Sequence, residues 1–188
     1  MQAGPDDAGL TTEDLRVVTR YAVECAEDVL PIFEDPHPHD RRPRAAIDAA
    51  RAFVGGAARS RLQRVTSLDA HRAAKEATIE AAVHSARAAG DAAAAAYLHP
   101  PGAVWEWTSI RARTSQVGHI LRPAAHAARA TELAAGRDPA TGDLYIERAR
   151  LRATPALADI VRRYPPPPDG VNRVARLMTA LDTALRTR

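Results

Sequence analysis

Basic side chains line one face of the helix predicted over residues 115–135. His119, Arg122, His126 and Arg129 follow one another at intervals of three, four and three residues, which places them in one line along the helix. Apolar residues occupy the opposite face, as in an amphipathic helix. Four basic or titratable groups in a line can hold an anion or an acidic protein surface. The alternative is that this line is simply the solvated outer face of the helix.

A proline-fixed turn with charged side chains is the second candidate binding element. It contains Asp40, Arg42 and Arg44, and an arginine held in such a turn can bind a carboxylate in a bidentate manner. The alternative role is structural, with one of the two arginines paired to Glu27 or Glu34 so that the first two helices are tied together. The sequence leaves both interpretations open.

Both tryptophans of the chain, Trp105 and Trp107, lie in one segment that follows a break at Pro100 and Pro101. Aromatic residues make up only 4% of the chain. Two tryptophans in an irregular segment are typical of a contact surface or of a lid over a pocket. The alternative is that they fill a gap beside the helices.

The remaining polar groups do not form a recognised catalytic or metal-binding motif. His84, Arg87 and Asp91 share one side of a helix, and His71 lies on the helix before it. The Glu-x-x-His pattern of carboxylate-bridged metal pairs is absent, as are nucleophile elbows, glycine-rich phosphate loops and HExxH. We therefore expect no metal and no cofactor, and whether the protein is an enzyme stays open.

Alanine dominates the segments that must position these side chains. It occurs 42 times among 188 residues, and it has the lowest cost of any residue in a helix. Apolar residues at three- and four-residue spacing predict an all-α fold, an antiparallel helical bundle or stacked α-hairpins of seven to eight helices. We expect residues 1–10 to be a flexible N-terminus and residues 11–188 to form a single all-α domain.

Capping residues and breakers predict the helix boundaries. Thr11 and Asp14 form a capping-box pattern, and Pro31 ends or kinks that first helix. N-caps followed by proline are predicted at Asp138 and Thr154. Further helices are predicted over residues 44–53, 59–75, 78–98, 115–135, 140–153 and 155–164, with a last one near the C-terminus. Gly90 lies inside the helix predicted over residues 78–98, where a close helix contact would explain its presence.

The charge balance is modest and uneven. The net charge is +3, and residues 101–188 carry 14 basic and 8 acidic side chains, which would suit an anionic partner for this half. The alternative is that arginine serves here simply as a good, soluble helix former. Nucleic acid is the weakest partner class, because no nucleic-acid-binding module is present. Cys25 lies on an apolar stripe, which predicts a buried, inert thiol. The absence of an apolar leader and of a bilayer-length apolar stretch predicts a cytoplasmic protein with no membrane partner.

Three segments carry a specific pattern: CAE at residues 25–27, LPIFE at residues 30–34 and DRRPRAAI at residues 40–47. They resemble an all-helical family of immunity proteins of bacterial polymorphic toxin systems. The likeness continues through LDAHRAAKEA, SARAAGDAAAAAYLHP, QVGHILRPAAHAARATELAAG and VRRYPPPPDGVNRVARLMTALDTALR. The segment around Trp105 and Trp107 looks like an insertion relative to this family. Actinobacterial relatives are sometimes labelled as an exonuclease, but the sequence contains no acidic metal cluster or ATP-binding loop to support that label.

The resemblance implies a protein that binds and neutralises a partner toxin, for which no catalytic group is required. Its recognition surface would be the Arg/His faces and the charged turn. The alternative function is a small-molecule-binding protein or an enzyme of a secondary-metabolite pathway, with a pocket between helices. That pocket would use Trp105, Trp107 and His119, with polar groups from Asp40, Arg42, Arg44 or His71. A second copy of the chain, in a homodimer, is a further candidate partner.

Overall fold

The computed structural model describes residues 9–100 and 110–187, with side chains described from residue 116 onward in the second stretch. Trp105 and Trp107 lie outside the described residues, so both hypotheses for them stay predictions. Within the described part the chain is helical and contains no β-strand. The predicted all-α fold class and the helical bundle are confirmed.

Nine α-helices follow one another along the described residues. They are α1 (Thr12–Glu27), α2 (Leu30–Glu34), α3 (Arg42–Val54), α4 (Arg61–Glu76), α5 (Glu80–Ala94), α6 (Ile110–Ala134), α7 (Pro139–Arg152), α8 (Pro155–Arg162) and α9 (Arg173–Arg186). A short 3-10 helix, Ala95–Tyr97, extends α5. The number exceeds the predicted seven to eight because α2 is a separate short helix with Pro31 in its first turn.

Side-chain caps fix where several helices begin. The Thr11 hydroxyl accepts a hydrogen bond from the Asp14 N–H at 3.0 Å, and the Asp14 carboxylate accepts one from the Thr11 N–H at 3.0 Å. This confirms the predicted capping box. Asp138 and Thr154 cap α7 and α8, as predicted, and Asn172 caps α9. Such a cap stabilises a helix by about 1 kcal/mol.

Helices α5 and α6 lie at the centre of the fold. α5 packs against α1, α2, α3 and α4, α6 packs against α1, α7 and α9, and the two pack on each other. Buried alanines, among them Ala88, Ala92, Ala124 and Ala128, line both helices. Small side chains let the two backbones approach closely. A polar side chain on the packed face of either helix is therefore buried, as Asp91, His84 and Glu132 are, and it requires a partner.

Cys25 is buried, as its position on an apolar stripe predicts. Cys25 is fully buried, and burial raises the pKa of its thiol to about 11. No helix in the described ranges is both long enough and apolar enough to span a membrane.

Candidate functional site

A buried carboxylate of α5 lies at the centre of the polar side chains between α4, α5 and α6. Asp91 is only 5% exposed. Its Oδ1 lies 3.5 Å from Nε2 of His71 on α4, and its Oδ2 lies 3.8 Å from Nε2 of His126 on α6. Burial by itself would raise the pKa of Asp91. The His71 hydrogen bond, the positive charge that His126 takes up in acid and the charge of Arg122 outweigh it and hold this pKa below its ordinary value.

Two buried histidines continue this line of side chains across the interface between α5 and α6. The Nδ1 atoms of His84 and His126 are 2.8 Å apart, and both residues are buried. Burial lowers the pKa of His84 to about 4, with the positive charges of Arg87 and Arg129 as further causes. Burial likewise lowers the pKa of His126 to about 3. Both imidazoles are therefore neutral near pH 7. We call His71, Asp91, His126 and His84 the histidine–aspartate line.

His119 lies beside this line on the same face of α6. Burial lowers its pKa, and the charge of Arg122 lowers it further, while Asp91 acts in the opposite direction. Its Nδ1 is buried without a hydrogen-bond partner among the described residues. The structure therefore brings together three of the side chains singled out in the sequence, His71, His119 and Arg122, around a shared carboxylate.

Next to the histidine–aspartate line a cleft of about 510 Å³ opens between α5, α6 and α9. Four arginines face it: Arg87 from α5, Arg173 from α9, and Arg122 and Arg129 from α6. Its lining consists of Glu80, His84, Arg87, Arg122, His126, Arg129, Asn172, Arg173, Val174, Ala175 and Met178. We call this the arginine cleft. Of the four side chains predicted in a line on α6, Arg122, His126 and Arg129 line the cleft, and His119 lies beside the histidine–aspartate line.

A buried glutamate holds two of the four arginines in place. Glu132 is 2% exposed. Its Oε1 accepts a hydrogen bond from Nη1 of Arg129 at 2.7 Å, and its Oε2 accepts one from Nε of Arg173 at 3.0 Å. Arg173 also donates to Asp143 at 2.7 Å, and Arg129 donates to Glu80 at 3.2 Å. These two guanidinium groups are consequently positioned before any ligand arrives.

Three glycines inside helices make room for polar side chains of this region. A β-carbon at Gly90 would lie 2.9 Å from Nε2 of His71. At Gly118 it would lie 2.6 Å from Nη2 of Arg122, and at Gly142 it would lie 2.6 Å from Oε2 of Glu132.

Glycine costs about 1 kcal/mol relative to alanine inside a helix. In a chain so rich in alanine, the space that the His71 ring and the tethered Glu132 carboxylate need accounts for glycine at positions 90 and 142, whereas the end of the Arg122 side chain beside Gly118 can move aside. For Gly90 this confirms the close contact expected from the sequence.

The arginines of the charged turn form ion pairs with neighbouring carboxylates. Arg42 donates to Asp40 and to Glu76 of α4, each at 2.6 Å at the shortest. Arg44 donates through Nε to Glu34 at 2.6 Å. These contacts tie α2, α3 and α4 together, and they match the structural interpretation of the turn for Arg44 and Glu34.

Glu27, the remaining sequence candidate, pairs with Arg51 of α3 instead. Beside the turn lies a shallow pocket of about 330 Å³. Whether the turn also binds a partner stays a prediction.

Sequence reasoning missed Arg173 of the arginine cleft and the buried Glu132 that holds it. Glu132 and Arg173 are 41 residues apart in the chain, and no local spacing connects them. The available signal is Gly142 in the first turn of α7, since a glycine there marks a bulky neighbour. The described residues hold no group of three or more His, Cys, Asp or Glu side chains arranged for a metal ion.

A comparison with models of protein families identifies the family of this chain. The family model "Imm-5 like putative immunity protein" matches residues 8–153. The chain belongs to this immunity protein family. No curated protein and no solved structure gives a significant match.

The family match covers α1 to α7, so the histidine–aspartate line, Glu132 and Gly142 all lie inside it. Arg173 and the rest of α9 lie outside the matched residues. The arginine cleft therefore combines a family surface with one wall that the family model does not cover.

Proposed function

We propose that this protein neutralises a partner toxin by binding it, and that the arginine cleft receives an acidic group of that toxin. Membership of an immunity protein family supports an immunity-type function in general. The convergence of four arginines on one cleft, Arg87, Arg122, Arg129 and Arg173, is the observation that carries the choice of surface.

The charge in the cleft favours a negative partner. Among the described residues Glu80 is the only carboxylate in its lining, and with Glu132 and Asp143, which pair with Arg129 and Arg173, the four arginines still leave a positive excess. Arginine binds carboxylates with two parallel hydrogen bonds, which gives both attraction and orientation. Complementary charge also accelerates the encounter of two proteins and rejects partners of the wrong sign. These properties suit a protein that must recognise one acidic partner.

Preorganisation supports the same choice. Binding costs free energy when long side chains must be ordered at an interface. Glu132 already orders Arg129 and Arg173, so this cost is met in the free protein. Arg87 is exposed, and among the described residues no carboxylate forms an ion pair with it, so its guanidinium is available to a partner.

The test is a protection assay with the candidate toxins that the source genome encodes, those in neighbouring genes first. Cells that express the toxin are supplied with the wild-type protein, with Arg87→Glu or with Arg20→Glu. Arg20 is an exposed arginine of α1 and does not line the cleft, so it controls for the change in net charge. We expect protection by the wild type and by Arg20→Glu, and a loss of about tenfold or more with Arg87→Glu.

Equal protection by the wild type and by folded Arg87→Glu would rule out the cleft as the binding surface. Failure of the wild-type protein to protect against any toxin from its own genome would overturn the proposed function itself. We place this action in the cytoplasm, in keeping with a single unbridged cysteine.

A second candidate function is the binding or conversion of a small anionic molecule. The cleft volume lies within the usual range of ligand pockets, about 300–1,000 Å³, and a neutral histidine pair forms part of its wall. A thermal-shift screen of small carboxylates and phosphates tests this function. Stabilisation of several degrees by one compound, lost in Arg87→Glu, would favour it, and no stabilisation by any compound would reject it.

A further inference from the structure

The two histidines in the wall of the arginine cleft have protonation states that follow from their neighbours. Nε2 of His126 faces Oδ2 of Asp91, and a carboxylate favours a proton on the nitrogen that faces it. The other nitrogen of His126, Nδ1, is then the acceptor. Because it lies 2.8 Å from Nδ1 of His84, that atom of His84 must be the donor.

This assignment leaves one basic nitrogen in the pair, Nε2 of His84. A proton added there makes His84 cationic and keeps its hydrogen bond to His126 intact. A proton added to Nδ1 of His126 would instead point two N–H groups at each other. His84 lines the cleft, so the new positive charge would form in the cleft wall.

The charges around His84 connect this protonation with the content of the cleft. After burial, the next causes of its low pKa are Arg87 and Arg129, which also face the cleft. The other charged or titratable groups around the two histidines, taken over α4, α5, α6 and α9, are His71, Glu80, Asp91, Arg122, Glu132 and Arg173. An anion between the arginines offsets their positive field, and the pKa of His84 must then rise.

We propose that the arginine cleft is an oxyanion site, and that its occupation draws a proton from solvent onto Nε2 of His84. This inference rests on the proposed use of the cleft and adds the chemistry of its ligand, a carboxylate, phosphate or sulfate group. One proton leaves the buffer for each proton gained by His84, and no bond of the ligand changes. The protein consequently binds oxyanions more tightly in mild acid than at neutral pH.

Calorimetric titration with sodium sulfate tests the proposal on the full-length protein. Sulfate is a suitable probe because it keeps both charges throughout the range studied. Titrations at about pH 5, in two buffers with different heats of ionisation, measure the protons taken up. We expect net uptake at about pH 5, and sulfate binding at least about threefold tighter there than at about pH 7.5.

Two single-residue variants separate His84 from the rest of the protein. His84→Gln removes the titrating group, whereas His39→Gln removes an exposed histidine that does not line the arginine cleft. We expect His84→Gln to bind sulfate at about pH 7.5 but to lose the proton uptake at about pH 5. His39→Gln should behave as the wild type.

A second measurement does not depend on a variant that must fold. The imidazole resonances of His84 in the wild-type protein, followed by NMR against pH, report its titration directly. We expect its midpoint to move to higher pH when sulfate is added. No movement, or undiminished proton uptake in folded His84→Gln, would overturn the role of His84.

Absence of sulfate binding at both pH values would overturn the oxyanion site. The proposed function would survive that result if Arg87→Glu still lost protection against the toxin. The reverse result, sulfate binding with proton uptake but no protection by the wild type, would reject toxin neutralisation and leave the oxyanion site standing.

Discussion

Gly142 of α7 lies directly against the carboxylate of Glu132 on α6. A β-carbon at position 142 would come within 2.6 Å of Oε2 of Glu132 and within 3.4 Å of its Cβ. The same carboxylate oxygen accepts the hydrogen bond from Arg173. One missing methyl group in α7 therefore makes room for the buried charge that positions the arginines of the cleft.

Gly142→Ala should destabilise the protein, although alanine is the better helix former. The added methyl group pushes the Glu132 carboxylate away from Arg173. Breaking the hydrogen bond of a buried carboxylate lowers the free energy of unfolding by about 1–3 kcal/mol. Urea denaturation measures the change in the free energy of unfolding. In a Glu132→Ala background the obstacle is gone, and Gly142→Ala should instead stabilise by about 0.5–1 kcal/mol. The same sign in both backgrounds would contradict the steric account.

Glu132→Gln should destabilise the fold by about 2 kcal/mol, because Arg129 and Arg173 lose the buried counter-charge that they share. Urea denaturation again provides the measurement. Glu147→Gln is the matched control, since Glu147 is an exposed glutamate paired with Arg150 on the same helix. That control should leave the unfolding curve unchanged. A Glu132→Gln protein as stable as the control would show that the buried carboxylate does not hold the two arginines.

Stability should fall by at least about 1 kcal/mol between about pH 7 and about pH 5. His84 and His126 have pKa values of about 4 and about 3 in the fold, below their ordinary value of 6.5. The unfolded chain therefore binds protons first as the pH falls through 6.5, and stability is lost until the folded values are reached. Carboxylates contribute little here, because their ordinary values lie below this range.

Denaturation curves at the two pH values check this prediction, and the double variant His84→Gln/His126→Gln should flatten the dependence. A wild-type protein that is equally stable at both pH values would show that the two histidines are not buried in their neutral form.

Arg44→Ala should cost only about 0.5–1 kcal/mol and leave toxin protection intact. Arg44 and Glu34 are partly exposed, and such pairs are screened by solvent and salt. Thermal unfolding at low and high salt measures the contribution, which should shrink as salt is added. Loss of protection in a folded Arg44→Ala protein would restore the charged turn as a recognition surface.

Local features of the fold were predictable from the sequence because they depend on neighbours in the chain. The Thr11–Asp14 capping box and the caps at Asp138 and Thr154 appear as predicted. Alanine content and apolar spacing gave the helical class. The spacing of Arg122, His126 and Arg129 also placed them on one face, and all three line the cleft.

The meeting of distant side chains could not be predicted in this way. Periodicity shows that His84 and Asp91 share one side of α5, but not which face of α6 they meet. The contact between His84 and His126 spans 42 residues, and the one between Glu132 and Arg173 spans 41. Both depend on how α5, α6 and α9 pack. Alanine-rich helix faces resemble one another, so the sequence does not specify which of them meet.

The affinity of the protein for its cognate toxin, measured by calorimetry at low and at high salt, tests the central claim most directly. We expect Arg87→Glu to weaken binding at least about tenfold relative to the wild type, or about 1.4 kcal/mol. The difference should shrink as salt is added, and Arg20→Glu should bind as the wild type does. Equal affinities for Arg87→Glu, Arg20→Glu and the wild-type protein at low salt would contradict the account.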